Sequence, residues 1–140
     1  MMVVPGRVVF DAEPLIAHAD DEPGSEVVEK YLDAVAVEDT AGYTSCVNLA
    51  EIRYTLARKY DRPTADDYLD WLDDLGIETR DVEAVWVEAS EYILAYNPAV
   101  GDSFALATAE DVDATLLVGG DDDYDDASDV PIERFRDGSA

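Results

Sequence analysis

The sequence predicts an α/β domain built on a mostly parallel sheet, and three features point there. Val8-Val9-Phe10 and Thr115-Leu116-Leu117-Val118 are short apolar runs of the kind needed by a strand buried on both faces. Stretches of helical periodicity lie between the strand candidates. The two kinds of segment alternate, and strands alternating with helices are joined by right-handed crossovers into a parallel sheet whose strands end at one rim.

Taken in order, Arg7-Val-Val-Phe-Asp11 reads as a strand ending in an acid, and a helix over 12–19 tolerates Pro14 in its first turn. Asp20-Asp21-Glu22-Pro23-Gly24 is turn chemistry, after which Ser25 opens a helix with Val27, Val28, Tyr31, Leu32 and Val35 on its core face. Gly42-Tyr43-Thr44 is the second strand, and Ser45 or Asn48 caps a helix whose stripe is Leu49, Ile52 and Leu56. A helix from Pro63 to Leu75 closes on Gly76 at its C′ position, and Ile77-Glu78-Thr79 is a third strand. The next helix, Asp81 to Tyr96, carries Val82, Val85, Trp86, Ala89 and Ile93 on one face and is broken by Asn97-Pro98. A small-residue helix begins at Gly101-Asp102 and leads to the strand at 115–118. Residues 119–124 then turn sharply, Pro131 to Phe135 forms an edge strand, and residues 136–140 are expected to fray.

A chain of 140 residues is expected to be a single domain over 1–140. Its 34 acidic and 9 basic residues leave a net charge of −25, a surface that repels nucleic acid as a whole. A hydrophobic fraction of 48% is nevertheless far too high for a disordered acidic tail. The expectation is a folded protein of a halophile, since at ~1 M salt the Debye length falls to about 3 Å and screens the carboxylates. Cys46, the single cysteine, cannot form an internal disulfide and reads as a small buried hydrophobe. No apolar run approaches the ~18 residues of a membrane span, and the N-terminus lacks a charged segment followed by a long apolar one. A cytoplasmic protein without membrane association is expected.

The candidate chemistry lies in acids. Asp11 and Asp121 follow strands and share a rim, where ligands of open parallel sheets bind. Glu51 and Asp102 join them if their helix ends face the same rim. Each has a structural reading as well: Asp11 and Asp102 as helix caps, Glu51 as the partner of Asn48 in a capping box. Gathered in one cleft, such acids repel and raise one another's pKa unless a cation is present. Hard oxygen donors suit Mg²⁺ or Mn²⁺, which would serve the hydrolysis of a phosphodiester. His18, late in the first helix, reads as a dipole interaction rather than a catalyst. No Ser/His/Asp or Cys/His system and no glycine-rich nucleotide fingerprint can be assembled.

Four segments, in order and at family-like spacing, resemble the PIN-domain family and within it the VapC-type toxins. They are Phe10-Asp11-Ala12-Glu13-Pro14-Leu15-Ile16, Ser45-Cys46-Val47-Asn48-Leu49-Ala50-Glu51, Gly101-Asp102-Ser103-Phe104-Ala105-Leu106-Ala107, and Leu117-Val118-Gly119-Gly120-Asp121 with Tyr124. The resemblance implies a three-layer α/β/α sandwich and a Mg²⁺- or Mn²⁺-dependent endoribonuclease acting through Asp11, Glu51, Asp102 and Asp121. It also implies a dimer restrained by a cognate antitoxin. Two departures stand out: Gly119 replaces the family's usual Thr or Ser, and Asp122 and Asp123 compete with Asp121 for the fourth role.

Contact with RNA would need a local basic strip, and Arg53, Arg58, Lys59 and Arg62 supply a candidate just after Glu51. Its alternatives are ion pairing with neighbouring acids and antitoxin binding. One rival function is an inactive PIN-like scaffold that acts only through partners. A second is a phosphoacceptor receiver domain, which needs a late lysine; none follows Lys59.

Overall fold

A computed structural model of the chain describes residues 3–120, 124 and 130–136. β1 (Arg7–Phe10) leads through α1 (Ala12–Ala19) and α2 (Ser25–Ala36) to β2 (Ala41–Ser45). β2 leads through α3 (Cys46–Lys59) and α4 (Arg62–Leu75) to β3 (Glu78–Arg80). The chain returns through α5 (Val82–Tyr96) and α6 (Val100–Val112) to β4 (Thr115–Val118), and β5 (Ile132–Arg134) follows. The strand order is β3-β2-β1-β4-β5, and every neighbouring pair is parallel.

Alternation along the central strands creates the three layers. Val8 and Phe10 of β1 and Leu117 of β4 point to one face, where they pack with Leu15, Leu32, Ile52 and Leu72 from α1 to α4. Val9, Leu116 and Val118 point to the other and meet Val85, Ala89, Ala105 and Leu106 from α5 and α6. All six strand residues are 0% exposed. At about 1.5–3 kcal/mol for each large apolar side chain fully buried, these two strands anchor both cores.

Strands progress outward from β1 through β2 to β3, and the chain then crosses back to place β4 on the other side of β1. The order therefore reverses at the β1/β4 junction, the switch point outside which ligands of open α/β sheets bind. Asp11 N–H donates to the Leu117 carbonyl at 3.1 Å, and Thr44 Oγ1 to the Phe10 carbonyl at 3.0 Å, fixing the end of β1 against both neighbours.

Several boundaries differ from the sequence reading. Ser45, not Asn48, caps α3: its hydroxyl accepts from Asn48 N–H at 3.0 Å, so Glu51 lies a turn too late for a capping box. Helix α6 starts at Val100 after Ala99, leaving Asp102 inside the first turn and not at the cap. The buried face of α5 is Val85, Ala89 and Tyr92, while Trp86 is 56% exposed, because α5 packs mainly on α6 and one narrow stripe meets that need. Cys46 is only partly buried, at the first position of α3. Arg136, where the sequence reading begins the tail, donates to the Pro23 carbonyl at 3.0 Å.

Candidate functional site

Each acid reaches the rim by a different local device. Asp11 caps α1 from an extended backbone (φ −67°, ψ 168°), and its Oδ1 accepts from Ala12 N–H at 2.8 Å. The helix cap and the cleft-lining acid are thus one carboxylate. Glu51 extends from the second turn of α3, which begins where β2 ends, and Asp102 from the first turn of α6. Together with Ala12, Glu13, Ile16 and Glu22, these three line a cleft of about 220 Å³. The remaining candidates, Asp121 with its competitors Asp122 and Asp123, lie outside the described residues.

Two neutral side chains hold the acids apart and in place. Asn48 is 0% exposed, and its Nδ2 donates to Glu51 Oε1 at 3.0 Å, Asp11 Oδ1 at 3.3 Å and the Gly101 carbonyl at 3.2 Å. Its Oδ1 accepts from the Ser45 hydroxyl at 2.6 Å, which orients the amide. The Tyr124 hydroxyl, also buried, lies 2.5 Å from Asp11 Oδ2 and 2.8 Å from Asp102 Oδ1. A phenol has one hydrogen to donate, so both contacts are hydrogen bonds at once only when a carboxyl carries a proton. The sequence offers Asn48 as a helix cap or as the capping-box partner of Glu51, and Tyr124 only as the end of the fourth segment of the resemblance. The three-residue spacing of Asn48 and Glu51 on one helix face was the available signal.

The electrostatics agree with that proton count. Asp11 is the one buried acid among the described residues, and burial pushes its carboxyl from 3.8 up to about 7, helped by Glu51 and Glu13 and opposed by its hydrogen bonds. Burial also raises Glu51, partly offset by Asn48. Tyr124 is pushed far upward by burial and by the two neighbouring aspartates, so it stays a neutral donor. Glycine makes room for this crowding: a Cβ on Gly101 would lie 2.0 Å from Glu51 Oε1.

A divalent cation is the group such a site invites. Among the described residues no three His, Cys, Asp or Glu side chains are already grouped so as to hold a metal ion. The donors nonetheless fit: they are carboxylate oxygens, Asp11 is a buried acid with no cation among the described residues that act on its charge, and Mg²⁺ needs only one or two carboxylates plus waters. Asp11, Glu51 and Asp102 are the residues that would hold it.

The basic strip is placed differently. Two residues on a helix turn through about 200°, so Arg53 faces away from Glu51, and it forms a two-pronged pair with Asp66 at 2.7 and 3.3 Å. Lys59 pairs with Asp20, and Arg58 lies over the Tyr54 ring at 5.0 Å. None of the four basic residues, Arg62 included, is among those lining the cleft. His18 packs elsewhere, stacked on Trp71 and bonded to Tyr68 and Glu29.

The raised Asp11 value carries a pH dependence. Between pH about 4 and 7 the folded chain holds a proton that the unfolded chain has released, so stability falls as pH rises through that window. In EDTA, urea unfolding of the wild type should therefore lose stability from pH 5 to pH 8 relative to Asp11→Asn, whose amide still caps α1. Parallel curves for the two proteins would contradict the assignment.

No match was found among curated protein sequences. The fold is similar to a VapBC2 complex from Rickettsia felis bound to a promoter DNA fragment, with TM-score 0.70 and 14% identity over 91% of this chain and 98% of that one. It is also similar to DNA-bound VapBC from Salmonella typhimurium (TM-score 0.68, 10% identity, 92% and 98% covered). A third similar structure is FitAcB from Neisseria gonorrhoeae (TM-score 0.59, 23% identity, 89% and 95% covered). At these identities the likeness is one of fold. The PIN domain model matches residues 8–130, most of the chain and all the segments that build the cleft, and on that match the chain belongs to the PIN domain family.

Proposed function

We propose that this protein is a Mg²⁺- or Mn²⁺-dependent endoribonuclease, the toxin of a toxin–antitoxin pair, with Asp11, Glu51, Asp102 and Asp121 as its working acids. The observation that carries the reading is the convergence of Asp11, Glu51 and Asp102, from three separate parts of the chain, on one cleft at the sheet's switch point. A cation bound there would supply a nucleophilic water and relief of the charge that builds on the phosphodiester. The chain's own residues prepare that state: Asn48 aims Glu51 and Asp11, Tyr124 bridges Asp11 and Asp102, and the end of β1 holds Asp11 in a dry setting.

An antitoxin partner is supported by the similar structures, which are toxin–antitoxin complexes. Trp86 and Leu94, both exposed on α5, add apolar surface suited to a protein interface, whether with the antitoxin or with a second copy in a homodimer. Among the described residues no helix is long and apolar enough to cross a membrane. The retained acids argue against an inactive scaffold.

Replacing Asp102 with Asn tests the assignment. Asp102 is not the cap of α6, so the fold should survive, and loss of a like charge should leave melting in EDTA level or higher. Cleavage of single-stranded RNA with Mn²⁺ should fall by about 10²-fold or more. Cleavage at the wild-type rate would remove Asp102 from the mechanism. The net charge of −25 adds an expectation of halophilic behaviour: the melting temperature should rise from low salt to molar KCl, and a flat response would exclude it.

A further inference from the structure

We propose that Glu13 is a further carboxylate of this site, reaching from α1 into the space that a side chain at position 119 would fill. This rests on the reading of the cleft as a cation site. A Cβ built on Gly119 would lie 1.5 Å from Glu13 Oε2 and 2.0 Å from its carboxyl carbon, which is outright overlap. The Glu13 carboxylate and any side chain at 119 therefore exclude one another. Gly119 directly follows β4, whose last residues run beside the end of β1, so this space adjoins Asp11.

The local sequence accounts for the placement. With Asp11 as cap, Glu13 falls in the first turn of α1, where a carboxylate is favoured by the helix dipole, and Pro14 fixes the backbone that follows. Glu13 lines the same cleft as Asp11, Glu51 and Asp102. From outside, Arg136 Nη2 reaches Glu13 Oε2 at 3.3 Å and Glu22 Oε1 at 3.1 Å. Arg136 thus brings a positive charge to both carboxylates. Glu51 over Gly101 and Glu13 over Gly119 form two matching arrangements, each setting a carboxylate against backbone where a Cβ would otherwise stand.

A plain ion pair with Arg136 is the competing account, and Glu22 separates the two: it has the same charge, the same partner and the same cleft, but does not cover Gly119. Calorimetric titration with Mn²⁺, paired with melting in EDTA, is the test. Glu13→Gln should weaken Mn²⁺ binding by about tenfold or more without lowering the melting temperature in EDTA, as loss of a ligand or of its support does. Glu22→Gln should weaken it by no more than about threefold, the effect of one screened charge. Gly119→Ser should displace Glu13 and weaken binding alone, yet add nothing further in the Glu13→Ala background. Equal losses for Glu13→Gln and Glu22→Gln, or unchanged affinity for Glu13→Gln while Asp102→Asn abolishes binding, would overturn the role of Glu13 and leave the site standing. A wild-type protein that takes up no Mn²⁺ sensitive to Asp102→Asn would overturn both.

Discussion

Repulsion among carboxylates brought to one rim of a parallel sheet is the constraint that the surrounding structure answers. Like charges within a few ångströms in a partly dry cleft oppose their own ionisation, and they persist only where neighbouring groups compensate. Here compensation takes three forms. Asn48 and Tyr124 place neutral donors between the acids, at 3.0 and 3.3 Å for the amide and 2.5 and 2.8 Å for the phenol. Asp11 holds its proton to about pH 7. Arg136 brings a positive charge to the mouth through Glu13 and Glu22. On the proposed reading, a divalent cation bound in the cleft would relieve the same repulsion.

The crowding follows from topology. Five parallel strands send every carboxyl end to one side, and reversal of strand order at β1 opens a crevice between the ends of β1 and β4. That geometry is held by burial, not by the polar groups themselves. Val8, Val9, Phe10, Leu116, Leu117 and Val118 are fully enclosed, so Asp11 is fixed by two cores as much as by its hydrogen bonds. Among the described residues no buried side-chain polar atom lacks a partner, so the cleft carries no hidden polar cost beyond its charges.

The layers were legible because both central strands are continuous apolar runs, and the convergence of Asp11, Glu51 and Asp102 on one cleft was legible because the order of the motifs sets all three near the carboxyl ends of parallel strands. Other features were not. The face of α5 depends on its packing against α6 alone, and the amphipathic pattern of Val82, Val85, Trp86, Ala89 and Ile93 does not say which part of a broad apolar stripe is covered. Asp11 shows that a capping position and a place in the cleft coincide in one carboxylate. Glu13 was invisible as a cleft residue because its relation to Gly119 spans more than a hundred positions and rests on an absent Cβ, which no periodicity records.

Whether this cleft is a divalent-cation site can be read from anomalous diffraction of crystals soaked in Mn²⁺. The expected result is a Mn²⁺ peak inside the cleft, within about 2.0–2.6 Å of a carboxylate oxygen of Asp11, Glu51 or Asp102, with Tyr124 no longer bridging the two aspartates. Mn²⁺ found only elsewhere on the acidic surface, with the cleft unchanged, would contradict it.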